Sequence, residues 1–288
     1  MRLLLLLLAV SLSVEAIWTN QFGWLWNFSR RHEIHNNNEK NDTEPGYELL
    51  WSDDDCWYAN ESYDNEAASR ILVPLEQEDF PKVYNLLAIS DMDEDSKSVT
   101  SWTWRAVIRR GNLTIDHDQT NVTVTWINDS DKNLTTPFNY KGRAMELSDL
   151  SKFNGRLLSP DDKTGLLYEI KNNKAIPWLF LNSGPGNSTK GMKAEWTTLY
   201  GGHLIVGGHG TEYRNKNGAV VSEDSMWIKV ISGSGEVKSC NWKYIYKRLL
   251  KAVNLTGCGA YLTHEAAQWS SIHQKWFFLP RKESNETY

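Results

Sequence analysis

Glu195-Trp196-Thr197-Thr198-Leu199-Tyr200-Gly201-Gly202-His203-Leu204-Ile205-Val206 reads as a β-hairpin. Two runs of β-branched, aromatic and aliphatic residues flank a Gly-Gly pair, the composition of a tight turn between antiparallel strands. An acidic side chain stands immediately before the first run. The same layout of oxygen-bearing side chain, short strand, turn and second strand recurs on both sides. Ser148-Asp149 precedes Phe153-Asn154-Gly155-Arg156-Leu157-Leu158, and Glu265 precedes Gln268-Trp269-Ser270 and Trp276-Phe277-Phe278. Ser148 to Glu195 is 47 residues and Glu195 to Glu265 is 70. A four-stranded propeller blade takes about 40–45 residues, so these intervals suit successive blades with loops. If each oxygen stands where a blade's innermost strand begins, all of them face one central channel. Converging carboxylates repel there unless a cation neutralises them. The alternative is that each is a strand-end polar group satisfied by its own neighbours.

Outward from this repeat the texture stays β. Val122-Thr123-Val124-Thr125-Trp126 alternates with period two, and Pro160-Asp161-Asp162-Lys163-Thr164-Gly165 is a turn. Lys243 to Val253 carries apolar residues on a 3–4 spacing and predicts one helix. The fold class expected is all-β. Residues 17–80 are irregular, Trp-rich and then polar and acidic, and read as an N-terminal arm; the folded domain is expected over 81–288.

With 31 Lys plus Arg against 36 Asp plus Glu the net charge is −5, which argues against a nucleic-acid partner. A hydrophobic fraction of 40%, with 14 Trp, 12 Tyr and 8 Phe, supports a sizeable core and excludes a disordered chain. Residues 1–16, with Arg2, an apolar run from Leu3 to Val10, and small residues at Val14 and Ala16, have the layout of a secretory signal peptide. The run falls short of the roughly 20 apolar residues that span a bilayer, so no stable membrane anchor is expected. Ten Asn-x-Ser/Thr sequons, at Asn27, Asn41, Asn60, Asn112, Asn121, Asn128, Asn133, Asn187, Asn254 and Asn285, fit a secreted protein or one of the endoplasmic reticulum or Golgi lumen. In that oxidising setting Cys240 and Cys258 either pair, leaving Cys56 odd, or all three thiols stay reduced.

Several motifs fail on inspection. Asp91-Met92-Asp93-Glu94-Asp95-Ser96 opens like a calcium-binding EF-hand, but Ser96 and Trp102 stand where that loop needs Gly and Glu. It is read as an acidic turn, with Asp91 and Asp93 candidates for a functional role at a strand end. His264-Glu265-Ala266-Ala267-Gln268 misses the second His of a zinc-peptidase helix, and its flanks suggest strand. His32 and His35 lie in the polar arm, while His203 and His209 flank Gly-rich turns; solvated or structural roles are the readings for all four. Gly184-Pro185-Gly186-Asn187-Ser188-Thr189-Lys190 lacks the ending of a phosphate loop. What remains is a hard-oxygen set of Ser148, Asp149, Glu195 and Glu265. It suits calcium, which takes 6–8 oxygen ligands in irregular geometry, better than zinc or copper.

Lys141-Gly142-Arg143-Ala144-Met145-Glu146-Leu147-Ser148-Asp149-Leu150, Phe153-Asn154-Gly155-Arg156-Leu157 and Asp161-Asp162-Lys163-Thr164-Gly165 resemble the calcium-activated nucleotidase (apyrase) family. So do Lys193-Ala194-Glu195-Trp196, His264-Glu265 with Trp269-Ser270, and Trp276-Phe277-Phe278-Leu279-Pro280-Arg281. The resemblance covers about residues 82–288 in the family's order. It implies a five-bladed β-propeller with one calcium ion (Ca2+) in its channel, hydrolysing nucleoside di- or triphosphates to release phosphate. Ser148, Asp149, Glu195 and Glu265 match calcium ligands or the carbonyl and water-mediated sites around them. Asp91, Asp93 and Asp162 match active-site acids, and Tyr213 stands where the family has an aromatic that stacks on the base. Lys141, Arg143 and Lys193 are candidate phosphate partners. Three departures are visible. The family continues past Pro280–Tyr288 with a segment that completes the last blade and supplies another Ser and Glu, so the last blade is expected to be incomplete here. An Asp-Gly-Asp-Gly-like turn is Asn182-Ser183-Gly184-Pro185-Gly186, and a Glu-Trp pair is Glu212-Tyr213.

Overall fold

The computed structural model describes residues 81–286 apart from Gln119. The signal peptide at 1–16, the arm at 17–80, Cys56, His32, His35 and the sequons at Asn27, Asn41 and Asn60 lie outside the described residues.

The described chain is all-β with one helix. In the first sheet β1 (Lys82–Ile89) runs antiparallel along one edge of β2 (Trp104–Ile115). The other edge of β2 is shared: β3 (Val122–Trp126) pairs with Gly111–Ile115 and β4 (Lys132–Thr136) with Trp104–Ile108. The second sheet is a meander of β5 (Ser151–Phe153), β6 (Arg156–Pro160), β7 (Leu166–Lys171) and β8 (Lys174–Phe180). β9 (Trp196–Tyr200) and β10 (His203–Gly207) open the third sheet. A hairpin of β11 (Tyr213–Arg214) and β12 (Val220–Ser222) intervenes before β13 (Trp227–Ile231) and β14 (Val237–Asn241) complete it. Helix α1 (Lys243–Ala252) leads to a last hairpin of β15 (Tyr261–Ser270) and β16 (Lys275–Ser284).

Local chemistry explains the turns. Asn154-Gly155 (φ 46° and 76°), Asn172-Asn173 (53° and 56°) and Gly201-Gly202 (57° and 73°) each place two consecutive residues in the left-handed region. That pairing makes the two-residue turn whose twist matches the strands it joins, and Asn and Gly tolerate it best.

Burial explains the order of the sheets. In β10, Leu204 and Val206 face the second sheet, packing with Phe153, Leu158 and Leu167, whereas Ile205 points the other way with Trp196, Ile228, Leu249 and Leu262. Both faces of this strand are therefore covered, which is why its sequence is continuously apolar rather than alternating with polar residues. Ile89, Trp104 and Leu134 of the first sheet likewise pack with Leu150, Tyr168 and Ile170. Three cores thus lie between successive sheets, each sealed by fully buried side chains such as Trp104, Leu158 and Trp196. Truncating such an aromatic to Ala costs about 3–5 kcal/mol. Helix α1 closes the third core with Tyr246 and Leu249.

The strands that open successive sheets lie side by side, with β9 between β5 and β15. Ser151 Oγ meets Thr197 Oγ1 at 2.6 Å, and Thr198 Oγ1 accepts the Trp269 N–H at 2.9 Å. The three segments that carry Ser148-Asp149, Glu195 and Glu265 are thereby neighbours. Glu265 lies inside β15 rather than ahead of it, at a register shift around His264 where the chain bulges. A bulge re-aims the side chain it carries.

No disulfide joins Cys240, which is buried, to Cys258, which is exposed. No helix among the described residues is long and apolar enough to cross a membrane.

Candidate active site

Residues 146–148 and 160–162 form a short antiparallel contact, with Ser148 N–H donating to Pro160 O (3.1 Å) and Asp162 N–H to Glu146 O (3.1 Å). Side chains alternate across an extended pair, so Glu146, Ser148 and Asp162 share one face while Leu147 and Asp161 take the other. Asp161 is fully buried and locks the turn, its Oδ2 accepting Met145 N–H (2.9 Å) and its Oδ1 Lys163 N–H (3.0 Å). Burial pushes its carboxyl up to about 6 despite those donors. The segment before it is wound through left-handed backbone at Lys141 (φ 53°), Gly142 (81°) and Met145 (58°). Non-glycine residues in that region are uncommon, and such backbone clusters at functional sites.

From this face a line of ionic contacts crosses from sheet to sheet. Asp93 meets Arg143, whose guanidinium grips both oxygens of buried Glu146 at 2.7 Å. Lys163 Nζ lies 3.0 Å from Glu146 and 3.3 Å from Asp162. Lys193 Nζ joins Asp162 Oδ2 to Glu195 Oε1. His209 Nε2 lies 2.7 Å from Glu195 Oε1 and 3.8 Å from Glu265 Oε1, and Arg281 closes the line at 2.8 Å from Glu265. The side chains of Asp162, Glu195 and Glu265 are only 3%, 5% and 8% exposed. Counting Asp91, six carboxylates face the four cationic heads of Arg143, Lys163, Lys193 and Arg281, an excess of two negative charges.

The electrostatics follow from that crowding. Burial alone would raise the Glu195 carboxyl, but the hydrogen bond from His209 and the charge of Lys193 hold it well below the usual range. Burial and the neighbouring Glu195 charge push Glu265 up instead. Burial would lower Lys193; Glu195 and Asp162 hold it above its ordinary value. Asp91 is raised to about 6 by desolvation and by the charges of Asp162, Glu146 and Asp93, against the Asp93 N–H it accepts at 2.8 Å.

Glu195, His209 and Glu265 each present a ligand atom, all within 4.8 Å of one another. Oxygens held by one calcium at 2.3–2.6 Å lie no more than about 5 Å apart, so the spacing of the Glu195 and Glu265 carboxylates fits a single ion. Two further oxygens, Ser148 Oγ and Asp162 Oδ1, are buried without a hydrogen-bond partner among the described residues. Unpartnered buried oxygens are costly unless a cation or water satisfies them.

Of the residues expected from sequence, Asp93, Arg143, Asp162, Glu195 and Glu265 join this line, and Asp91 sits within its field. Asp149 does not present its carboxylate to the cluster. Its Oδ1 accepts Leu150 N–H (2.7 Å), and its Oδ2 accepts Thr197 N–H (2.6 Å) and Oγ1–H (2.9 Å), clamping β9 to the loop before β5. Lys141 is exposed and places its ammonium over the Tyr140 ring at 5.2 Å, outside the line. Tyr213 is half-buried with Lys190 over its ring at 5.4 Å, and burial raises its hydroxyl within the field of Lys193, Glu195 and Asp162. Sequence reading missed His209, Glu146, Lys163 and the partnership of Arg281 with Glu265. Counting outward from the Gly201-Gly202 turn does not find the first, since the register that sets Gly207 against Trp196 would carry on to His209 against Ala194, not Glu195.

The family model described as Apyrase matches residues 92–288. Over 211 residues the chain is 46% identical to apyrase apy-1 of Caenorhabditis elegans, covering 73% of this chain and 59% of that protein. It is 41% identical over 206 residues to an apyrase of Cimex lectularius, covering 71% and 56%, and 43% identical over 206 residues to soluble calcium-activated nucleotidase 1 of Rattus norvegicus, covering 71% and 50%. The chain thus spans between half and three-fifths of the length of these relatives.

Proposed function

The chain belongs to the apyrase family, and from that premise we propose that it hydrolyses nucleoside di- and triphosphates, releasing inorganic phosphate, with calcium as its cofactor. The observation that carries this reading is the ionic line of five carboxylates and four cations, with the sixth carboxylate, Asp91, in its field. The resulting excess of two negative charges equals the charge of one divalent ion, and the basic heads are spaced among the acids that would hold that ion. The same reading takes the successive sheets as blades of a five-bladed propeller, with the site at the channel end of β5, β9 and β15.

Glu195, Glu265 and the buried hydroxyl of Ser148 would hold the ion, with Asp162 beside them. Asp149 positions Ser148 and β9 rather than offering its carboxylate. Bound there, calcium would supply Lewis acidity and offset phosphate charge. The protein's own groups do the rest. Arg143, Lys163, Lys193 and Arg281 present donors to phosphate oxygens, strengthened where water is partly excluded. Asp91, with a carboxyl at about 6, is ionised at neutral pH yet basic enough to take a proton from the attacking water. Asp93 shares with Glu146 one terminal nitrogen of the Arg143 guanidinium and so helps to hold it. Tyr213 offers an aromatic face for a base. Luminal or secreted placement is part of the proposal; of the seven sequons in the described region, six have exposed Asn and Asn112 is half-buried.

The test is phosphate release from UDP, GDP, ADP and ATP by the purified chain in calcium and in chelator. Calcium-dependent release supports the reading. Nucleotide binding without release would recast the chain as a binding protein.

A further inference from the structure

Glu195, His209 and Glu265 form a mixed donor set rather than an all-oxygen one, and the imidazole sets it apart from a calcium cage. His209 Nε2 stands 2.7 Å from Glu195 Oε1 and 3.8 Å from Glu265 Oε1, with its side chain only 17% exposed. Its position is fixed from both sides. A Cβ at Gly207 would meet the Trp196 ring at 1.9 Å, and one at Gly210 would meet the Tyr246 ring at 2.1 Å, so the backbone that carries His209 lies flat against two buried aromatics. His209 O accepts the His264 N–H at 2.9 Å, and Gly210 N–H donates to Ser225 O at 3.1 Å. The ring is therefore built into the site rather than swinging in solvent. Bordering it, Asp162 is linked to Glu195 through the Lys193 ammonium and keeps Oδ1 buried with no hydrogen-bond partner among the described residues.

Calcium binds through oxygen, whereas an imidazole nitrogen with carboxylates suits first-row transition ions such as manganese, cobalt and zinc. We propose that His209 makes this pocket a transition-metal site as well as a calcium site, with Nε2 as ligand beside Glu195 and Glu265. His209 is then the residue that sets which divalent ion the protein prefers. The proposal rests on the calcium reading only for the pocket's second occupant. On binding, Nε2 gives its lone pair to the metal, and any proton it shared with Glu195 passes to solvent.

The experiment titrates tag-free protein with Ca2+, Mn2+ and Co2+ by calorimetry, follows the visible Co2+ bands, and repeats both with His209→Gln. Wild type should bind Co2+ and Mn2+ at least about tenfold more tightly than Ca2+. H209Q should lose about tenfold or more in Co2+ and Mn2+ affinity while Ca2+ affinity moves by less than about threefold. Pulsed electron paramagnetic resonance of the Mn2+ form should show modulation from a coordinated nitrogen, a readout that stands even if H209Q does not fold. Unchanged Co2+ binding in H209Q, an equal loss of Ca2+ and Co2+, or no nitrogen modulation would overturn the inference. Calcium-driven phosphate release alongside any of those results would leave the proposed function standing. Co2+ binding lost in H209Q with no effect of calcium on activity would do the reverse.

Discussion

Lys193→Met removes the one ammonium that joins Asp162 to Glu195 while keeping most of the stem. Both partners are almost fully buried, at 3% and 5% exposed, and Lys193 itself is 30% exposed. Stripping the cation from a buried pair leaves carboxylates uncompensated, at a cost of about 3–5 kcal/mol. Lys163 still lies 3.3 Å from Asp162 and His209 2.7 Å from Glu195, so the lower end, about 3 kcal/mol, applies. For a domain of this size that corresponds to a melting temperature lower by about 6–12 °C. A cation bound among Glu195, His209 and Glu265 supplies the lost counter-charge, and Lys193 no longer repels it. Saturating calcium should therefore recover at least about half of the deficit by binding the folded state. Differential scanning calorimetry in chelator and in calcium reads both quantities. A K193M protein that melts like wild type in chelator, or whose deficit is the same in calcium, would refute the reasoning.

Gly207→Ala forces a methyl into the Trp196 ring and should destabilise by about 1–3 kcal/mol, seen as a lower denaturation midpoint; an unchanged midpoint would show that the ring has room. His264 is buried with neither ring nitrogen hydrogen-bonded among the described residues, and its pKa is lowered to about 4 by burial and by His209. The unfolded chain takes up this proton near pH 6.5 and the folded one only near 4, so stability falls as pH drops through that window, by about 3 kcal/mol in all at about 1.4 kcal/mol per pH unit. Burial raises Asp149 and Asp161 to about 6, which acts in the opposite sense, so urea titrations of wild type against His264→Phe isolate the histidine; parallel pH curves would contradict the assignment. If Asp91 is the base, phosphate release rises with pH through about 6, and Asp91→Asn lowers the rate about 10²–10⁴-fold and removes that limb; an unchanged profile would move the role elsewhere.

The β9–β10 hairpin and β3 were legible because turn residues and β-branched runs act locally, and the helix expected over Lys243–Val253 ends one residue earlier, at Ala252. The rest of the first sheet was not legible. Arg109 and Arg110 sit in mid-strand where β2 passes from β4 to β3, and Arg109 is held there by Asp131 through two 2.6 Å contacts that no local rule reveals. In the site, Glu195 and Glu265 could be found because a carboxylate beside a strand of a repeated layout is conspicuous. His209, Lys163 and Arg281 could not, because each meets its partner through an irregular pairing, the loop beyond β10, the isolated Leu147–Asp161 bridge and the bulged β15–β16 register, that no local residue pattern announces. Asp149 shows the converse: its place in the motif was readable, but its use as a clamp on Thr197 depends on β9 lying against β5.

In the proposed reaction Glu195 helps hold the cation that phosphate release requires. Calcium titration of phosphate release from a nucleoside diphosphate, in wild type against Glu195→Gln, tests it most directly. Calcium stimulation present in wild type and abolished in E195Q is the predicted result; the same stimulation at the same calcium concentrations in both proteins would contradict it.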